Sequence, residues 1–252
     1  MKNIVIAILL LIGVGNLNAQ EDYVQSLQGV KKVKISSESG VEIKSHDKNE
    51  VLIVGDERKM PEKARGLKAV YAGGSDNTGF GVHVKREGET LTLINLKNMH
   101  SSTLEVFLPK SVNITIEKSN LGSIEINGFS SEIEATTNVG NITFKDVTGP
   151  IVAKTATGEI NVVFNKVSQS SPISLISATG AIDVSLPSNT PANLELKTAM
   201  GEIYTDFEIK FPSKDDNMKI VAGKRTIETE LNNGGVEISL RSSTGNIYLR
   251  KK

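Results

Sequence analysis

The stretch Val139-Gly140-Asn141-Ile142-Thr143-Phe144 decides the fold of this chain, because the chain repeats it. The shared pattern, Gly-x-Ile-x-apolar, is found seven times with small departures, and the copies are centred on Gly122, Gly140, Gly158, Gly180, Gly201, Gly234 and Gly245. Successive glycines are 18, 18, 22, 21, 33 and 11 residues apart. Four consecutive spacings near 20 indicate a structural repeat, and the last two cover roughly two more periods with one copy out of phase.

Each copy of the repeat combines a turn residue with a strand. Glycine adopts positive φ without a steric penalty, so it can turn the chain sharply at a corner. The residues after it alternate with the two-residue period of a strand, which turns the isoleucine inward. One coil of about 18–22 residues cannot bury its own apolar face, but coils stacked ~4.8 Å apart bury the isoleucines in one column. The repeat therefore predicts an all-β fold, a single-chain β-solenoid.

Each period holds at least two strands. A second strand-like segment, Glu132-Ile133-Glu134-Ala135, lies between the first two copies, and Gly149-Pro150-Ile151-Val152-Ala153 lies between the second and the third. No stretch after residue 20 shows a sustained helical pattern of apolar residues. The one candidate helical turn, within Met60–Val70, is broken by Gly66.

The N-terminal part of the solenoid is less regular. Strand-like alternation is found there in six segments, Lys32–Ser36, Val41–Ile43, Val51–Val54, Leu91–Ile94, Leu104–Leu108 and Val112–Ile116. Gly40-Val41-Glu42-Ile43 is an imperfect copy of the repeat, which favours one continuous domain over residues 20–252. A division of this domain near residues 119–122 stays open. The polar segments 72–81 and 213–223 are predicted to loop out of the stack.

Residues 1–19 have the organisation of a signal peptide. Lys2 precedes an apolar run, Ile4–Val14, of 11 residues, whereas a bilayer-spanning helix needs roughly 20. A polar region that ends in Ala19 follows and predicts cleavage before Gln20. The protein is therefore predicted to be exported by a bacterium, to the periplasm, the cell surface or the medium. No integral membrane span remains after cleavage.

The composition excludes several classes of function. The chain has 252 residues, with 29 Lys and Arg against 29 Asp and Glu, so no basic excess exists to attract nucleic acid or an anionic membrane. The chain contains no cysteine. This excludes disulfides, thiolate metal sites, a cysteine nucleophile and the lipid-attachment cysteine of a bacterial lipoprotein.

The sequence predicts no catalytic, cofactor-binding or metal-binding residue. His46, His83 and His100 lie in different segments, without the spacing of metal ligands. The chain has no Gly-x-Ser-x-Gly elbow, P-loop or dinucleotide fingerprint. Arginine is absent between Arg86 and Arg225, so the most regular coils lack the guanidinium expected beside an acidic sugar.

Calcium binding is a further possibility that the acidic turns raise. Asp76-Asn77 and Asp215-Asp216-Asn217 could supply oxygen ligands. Neither segment fits the EF-hand loop or the calcium-binding nonapeptide repeat. Both are interpreted as solvated turns, and no cofactor is predicted.

Polar positions within the repeats predict two ladders on one outer face. The first position after each glycine gives Ser123, Asn141, Glu159, Ala181, Glu202, Gly235 and Asn246. The second outward position gives Glu125, Thr143, Asn161, Asp183, Tyr204, Glu237 and Tyr248. Such a face can bind a polymer or a protein, although solubility alone also requires polar residues there. Two tyrosines are too few to predict a platform for stacking sugars, so the binding residues are unknown at this level.

Several of these features together resemble the bacterial "putative adhesin" family. They are the signal peptide without cysteine, the repeated Gly-x-Ile pattern, the strand Leu104–Lys110, the closing segment Ser243–Lys251 and the middle segment Gly66-Leu67-Lys68 followed by Asp76–Gly81. The resemblance covers most of residues 30–252. It implies an exported domain of stacked β-coils without settled biochemistry, and it supplies no catalytic residues.

The leading hypothesis is therefore an exported, non-enzymatic β-solenoid that serves as an adhesion or scaffold module of the cell envelope. Its partner would be an unknown envelope protein or polymer, and its oligomeric state is open. Two alternatives are a polysaccharide-active β-helix enzyme, either a lyase or a hydrolase, and a periplasmic partner of an envelope signalling system.

Overall fold

Strands joined by short turns make up nearly all of the described structure. The structure, a computed structural model, describes residues 22–55, 62–98, 102–209 and 225–252. Its strands are β1 (Tyr23–Ser26), β2 (Lys32–Ser37), β3 (Val41–His46), β4 (Glu50–Ile53), β5 (Val82–Glu87), β6 (Thr90–Asn95), β7 (Leu104–Pro109), β8 (Asn113–Leu121), β9 (Ile124–Asn127), β10 (Ile133–Val139), β11 (Ile142–Val147), β12 (Ile151–Thr157), β13 (Ile160–Phe164), β14 (Ile173–Thr179), β15 (Ile182–Leu186), β16 (Ala192–Thr198), β17 (Ile203–Thr205), β18 (Arg225–Leu231), β19 (Val236–Ser242) and β20 (Ile247–Lys251). A single 3-10 turn, Glu62–Ala64, precedes Gly66. The predicted all-β class is confirmed.

The strands form two sheets of ten. The first sheet has the order β1-β4-β7-β3-β9-β11-β13-β15-β20-β17, and the second has the order β18-β16-β19-β14-β12-β10-β8-β2-β6-β5. Each regular coil gives one strand to each sheet, and neighbouring coils pair in parallel with equivalent residues aligned. Ile142, for example, lies between Ile124 and Ile160. This arrangement confirms the predicted β-solenoid.

The order of the coils departs from the order of the chain at both ends of the stack. The coil β2–β3 lies between β6–β7 and β8–β9, and the coil β19–β20 lies between β14–β15 and β16–β17. Antiparallel strands then cover three of the end strands, because β5 pairs with β6, β4 with β7 and β18 with β16. The first full coil of the chain, β2–β3, and the last, β19–β20, lie inside the stack with a coil on each side. This protects both from fraying.

The sheets bury two facing columns of isoleucine. The first sheet contributes Ile124, Ile142, Ile160, Ile182 and Ile247, and the second contributes Ile114, Ile133, Ile151, Ile173 and Ile238. Each is at most 1% exposed. Phe129, Phe144 and Phe164 are fully buried in the same core. Burial of one such side chain contributes roughly 1.5–3 kcal/mol, so the columns supply the main stabilisation of the stack.

The repeat glycines stack directly on one another at one corner. A Cβ added to Gly140 would overlap the carbonyl oxygen of Gly122, and one added to Gly158 would overlap that of Gly140. The same clash recurs for Gly180 on Gly158 and for Gly245 on Gly180. The corner therefore accepts only glycine, because the backbones of neighbouring coils approach too closely for any side chain.

A column of buried hydroxyl groups runs beside these glycines. Thr155 donates a hydrogen bond to the carbonyl oxygen of Gly140 at 3.1 Å, and Ser177 donates one to that of Gly158 at 2.9 Å. Thr198, Ser242 and Thr137 make the same contact in other coils. Each hydroxyl residue precedes the glycine of its own coil by three positions, a signal that the sequence interpretation missed. Each of these hydroxyl groups thus donates a hydrogen bond to a glycine carbonyl of the neighbouring coil at the corner.

Candidate functional site

The outer face of the first sheet presents one continuous column of side chains. Parallel pairing aligns the outward residues in the order Glu105, Glu42, Glu125, Thr143, Asn161, Asp183, Tyr248 and Tyr204. Strands spaced ~4.8 Å apart give this column a length of roughly 34 Å. Below, "the outer face" means this face of the first sheet.

The predicted ladders need a correction that concerns one member of each. Gly235 and Glu237 do not belong to the outer face, because the out-of-phase copy at Gly234 begins β19 of the second sheet. There Glu237 lies beside Asn193. The other members of the predicted ladders lie where the Gly-x-Ile register places them. The first position after each glycine lies at the glycine corner, and the second outward position lies on the outer face.

Ion pairs cover the end of the outer face that β3 and β7 form. The Lys44 ammonium lies 2.8 Å from a carboxylate oxygen of Glu105 and 2.8 Å from one of Glu42. The hydrogen bond to Glu105, followed by that to Glu42, raises the pKa of Lys44. Lys145 pairs with Glu125 at 2.5 Å. Solvent screens such exposed pairs strongly, so their main effect is to balance charge on the face.

Two tyrosines stack at the opposite end of the outer face. The rings of Tyr204 and Tyr248 are 5.4 Å apart and inclined by 10°. The Arg250 guanidinium lies 5.3 Å from the Tyr248 ring centroid, and it donates hydrogen bonds of 2.8–3.1 Å to both carboxylate oxygens of Asp183. The Tyr204 hydroxyl donates a hydrogen bond to Glu202, which raises the pKa of Tyr204. This end therefore combines aromatic rings, a cation and carboxylates.

The placement of Arg250 corrects a prediction from the sequence. Arginine is absent between Arg86 and Arg225 in the chain, which suggested that the regular coils lack a guanidinium. The coil β19–β20 inserts next to β14–β15, however, so Arg241 and Arg250 stand in the regular part of the stack. The spacing of arginines along the sequence could not reveal this insertion.

Comparison with known protein families places the chain in one of them. The sequence profile of the family described as Toastrack DUF4097 matches residues 118–250, more than half of the chain. The chain belongs to this family.

Solved structures similar to this Toastrack DUF4097 protein are named as adhesins. One is a "putative cell adhesion protein" from Clostridium sporogenes ATCC 15579, with 11% identity and a TM-score of 0.41, covering 92% of this chain and 99% of that chain. Another is a "putative adhesin" from Bacteroides fragilis NCTC 9343, with 11% identity and a TM-score of 0.36, covering 92% of this chain and 96% of that one. No curated protein matches the sequence. The match of the family model confirms the predicted resemblance.

The two histidines that the structure describes do not converge. His46 ends β3 in the first sheet, where its Nε2 lies 2.8 Å from the carbonyl oxygen of Glu50. His83 lies on β5 in the second sheet, with Nδ1 2.7 Å from the carbonyl oxygen of Ser75. His100 is outside the described residues. Within residues 22–55, 62–98, 102–209 and 225–252, no group of three or more His, Asp or Glu is placed to hold a metal ion.

A cavity of about 430 Å³ on the outer side of the second sheet contains four glutamates, Glu195, Glu228, Glu230 and Glu237. A glycosidase would require one carboxyl held protonated there. Glu195 has the opposite property, because hydrogen bonds from Arg241 at 2.6 Å and from Ser239 at 2.9 Å lower its pKa. Its carboxylate is therefore held in the ionised form, which does not suit a general acid.

The acidic turn at Asp76 seals the edge of the second sheet. The Asp76 carboxylate accepts hydrogen bonds of 2.8–3.0 Å from the amides of Thr78, Gly79 and Gly81 and from the Thr78 hydroxyl. The turn places Asn77 so that its side chain bonds both the N–H and the C=O of Val84 at 2.8 Å. Asn77 thus occupies backbone groups of the edge strand β5 that could otherwise pair with another chain. The other acidic turn, Asp215-Asp216-Asn217, is outside the described residues.

The Asp76 turn gives stability a defined dependence on pH. Burial acts to raise the pKa of the Asp76 carboxyl, but its hydrogen bonds with Thr78, Gly81 and Gly79 outweigh burial and lower the pKa. The resulting stabilisation is complete above the unfolded pKa of about 3.9 and is lost as the pH falls through the lower, folded pKa. We expect Asp76→Asn to reduce the free energy of unfolding by about 1–2 kcal/mol at pH 7. This difference from wild type should shrink below about pH 4.

Urea melts at pH 7, 5, 4 and 3 measure this dependence. Asp47→Asn is the control, because the Asp47 side chain is 90% exposed and pairs only with a surface lysine in the described structure. We expect this control to follow wild type closely. A difference between Asp76→Asn and wild type that stays constant down to pH 3 would contradict the role given to the Asp76 carboxylate.

Proposed function

We propose that this protein is exported by a bacterial cell and serves as a non-enzymatic adhesion or scaffold module of the cell envelope. It binds its partner through the outer face of the first sheet. The observation that supports this proposal is the outward column that runs in register across eight coils, from Glu105 to Tyr204. A rigid, regular surface of this length suits an extended polymer or another envelope protein.

The export part of the proposal rests on the sequence. Residues 1–19 have the order of a signal peptide, and they lie outside the described structure. Among the described residues, no helix has the length and apolar character required to span a membrane. Residues 20–252 would then be the mature solenoid, placed in the periplasm, at the cell surface or in the medium.

The non-enzymatic part rests on how the carboxylates of the outer face are used. Glu42 and Glu105 pair with Lys44, Glu125 pairs with Lys145, and Asp183 pairs with Arg250. A general acid or base needs a carboxyl that is free to reach its substrate, whereas each of these carboxylates is held by a lysine or an arginine. The face is therefore better suited to binding than to proton transfer.

Co-sedimentation of the mature chain with envelope fragments from its own bacterium tests the proposal. We expect the wild type to sediment with the fragments and the double variant Thr143→Arg with Asn161→Arg to lose this binding. These two residues are paired neighbours in the middle of the outer face. The matched control is Val152→Arg with Ser174→Arg, a paired couple on the outer side of the second sheet.

The outcomes of this experiment separate the hypotheses. Binding lost in the first double variant and kept in the control supports the outer face as the binding surface. Equal binding by the two double variants, or no binding by the wild type, contradicts the outer face as the binding surface. New reducing ends or unsaturated sugars in the incubated fragments would instead show polysaccharide cleavage. A single envelope protein that is retained would identify a protein partner, such as a component of a signalling system.

A further inference from the structure

We propose that Tyr204, Tyr248 and Arg250 form a site for the sugar rings of a neutral glycan, at the end of the outer face. This inference rests on the proposed function, because it names the class of ligand that the outer face binds. The site arises from the order of the coils. Tyr204 and Tyr248 are 44 residues apart in the chain, and they become neighbours because β20 pairs with β17.

The aromatic part of the site is accessible. Tyr204 belongs to β17, the last strand of the first sheet in the described structure, and it is 48% exposed. The Tyr248 ring lies parallel to the Tyr204 ring, 5.4 Å away, on the side toward the rest of the stack. The Arg250 guanidinium lies near the Tyr248 ring and is fixed by its two-point contact with Asp183. The tyrosines are thus held in place before any ligand binds, which reduces the entropy lost on binding.

Hydrogen-bonding groups surround the two rings. The Glu202 carboxylate accepts the hydroxyl hydrogen bond of Tyr204, and the Asn246 amide donates to the Tyr248 hydroxyl at 3.0 Å. Asp183 and Arg250 complete the rim on the neighbouring coil. A pyranose ring combines an apolar C–H face with hydroxyl groups at its edge. An aromatic face bordered by carboxylate, amide and guanidinium groups matches both of these properties.

The charges near the site favour a neutral glycan over a charged one. Near the rings, Asp183, Glu202 and Asp206 are negative, and Arg250 and Lys251 are positive. The Lys252 ammonium lies away from them, 3.7 Å from the Asp146 carboxylate on β11. The pairing of Asp183 with Arg250 cancels the charges that lie closest to the rings. With this small negative excess the site has no long-range attraction for an acidic polymer, so the glycan that it binds is expected to be neutral.

The small apolar area favours a glycan over a protein partner. Around the rings, the outward side chains of the described residues on β15, β20 and β17 are polar or charged, including Asp183, Ser185 and Arg250. A stable protein interface buries roughly 800 Å² on each side, and its core is more apolar than this surface. Two tyrosine rings with a polar rim are of a size to hold one or two sugar rings.

Native gel electrophoresis through soluble polysaccharides tests this site. The neutral probes are laminarin, dextran and galactomannan, and the acidic probe is alginate. We expect at least one neutral polysaccharide to retard the wild type, and Tyr204→Ala to weaken this interaction by about tenfold. Tyr204→Phe keeps the ring and should bind within about threefold of wild type. Ser174→Ala, on the second sheet, is the control and should bind as the wild type does.

The outcomes distinguish failure of the tyrosine site from failure of the proposed function. Retardation of the wild type that Tyr204→Ala abolishes supports the site, provided that the variant unfolds in urea at the same midpoint as the wild type. Equal retardation of Tyr204→Ala, retardation by alginate alone, or no retardation at all overturns it. If the wild type and Tyr204→Ala sediment equally with envelope fragments, the inference fails while the proposed function stands. If neither sediments, both fail.

Discussion

Val162→Asp is expected to lower the free energy of unfolding by at least about 4 kcal/mol, or to prevent folding altogether. Val162 is 1% exposed on β13 and lies between Phe144 and Val184 in the interior of the stack. An aspartate there would place a carboxylate among apolar side chains without a partner. Urea unfolding followed by circular dichroism measures the change, and the yield of soluble protein reports a complete failure to fold.

Val163→Asp is the matched control, because the same change is made one residue later on the opposite side of the strand. Val163 points outward between Lys145 and Ser185, where a carboxylate is solvated and faces a lysine. We expect a change of no more than about 1 kcal/mol, which reflects the lower strand propensity of aspartate. Equal losses from both substitutions would mean that the assigned register of β13 is wrong.

Gly158→Ala is expected to destabilise the stack by more than about 3 kcal/mol. Gly158 has a φ of 151°, and a Cβ at this position would overlap the carbonyl oxygen of Gly140 on the neighbouring coil. The backbone of one coil would have to move away from the next, which would weaken the inter-coil hydrogen bonds on both sides of the corner. The free energy of unfolding from urea melts again provides the measurement.

Gly88→Ala separates the cost of the contact from the cost of the backbone conformation. Gly88 also has a positive φ, 59°, but no atom lies within 4 Å of the position that its Cβ would occupy. We expect this variant to lose only the roughly 1–2 kcal/mol of a left-handed conformation. If Gly158→Ala lowers the free energy of unfolding by no more than Gly88→Ala does, close stacking of the glycines does not explain why glycine recurs at the corner of each coil.

The regular strands could be predicted from the sequence because each repeat carries its own register. A glycine fixes the corner, and the alternation after it fixes which side chains face inward. The coil that begins at Gly140 needs no information from the rest of the chain. The predicted segments Lys32–Ser36, Leu91–Ile94 and Leu104–Leu108 correspond in the same way to β2, β6 and β7.

The order of the coils could not be predicted from the sequence. Every coil presents the same pattern of isoleucines to its neighbours, so the coils that begin at Gly201 and Gly245 fit equally well against the coil of Gly180. In the structure β19 lies between β14 and β16, and the antiparallel strand β18 pairs with the other edge of β16. The edge strands β1 and β5 were also not predicted, because they bury few of their side chains.

The candidate site could be predicted only in part for the same reason. The ladder positions Asp183, Tyr204 and Tyr248 follow from the register of single repeats. The stacking of Tyr204 on Tyr248, and the contact of Arg250 with Asp183, depend on which coil lies beside which. A pattern that is local in the sequence cannot give contacts between residues 44 or 67 positions apart.

Disulfide mapping on the outer face tests this coil order most directly. The chain contains no cysteine, so a pair of introduced cysteines can form one intramolecular bond. Asp183 and Tyr248 are paired neighbours, about 4.8 Å apart between Cα atoms, whereas Tyr204 lies one coil further on. We predict that Asp183→Cys with Tyr248→Cys forms an intramolecular disulfide, detected by mass spectrometry of the digested protein, and that Asp183→Cys with Tyr204→Cys does not. The reverse result would show that the coils stack in the order of the chain, and it would contradict both the assembled face and the tyrosine site.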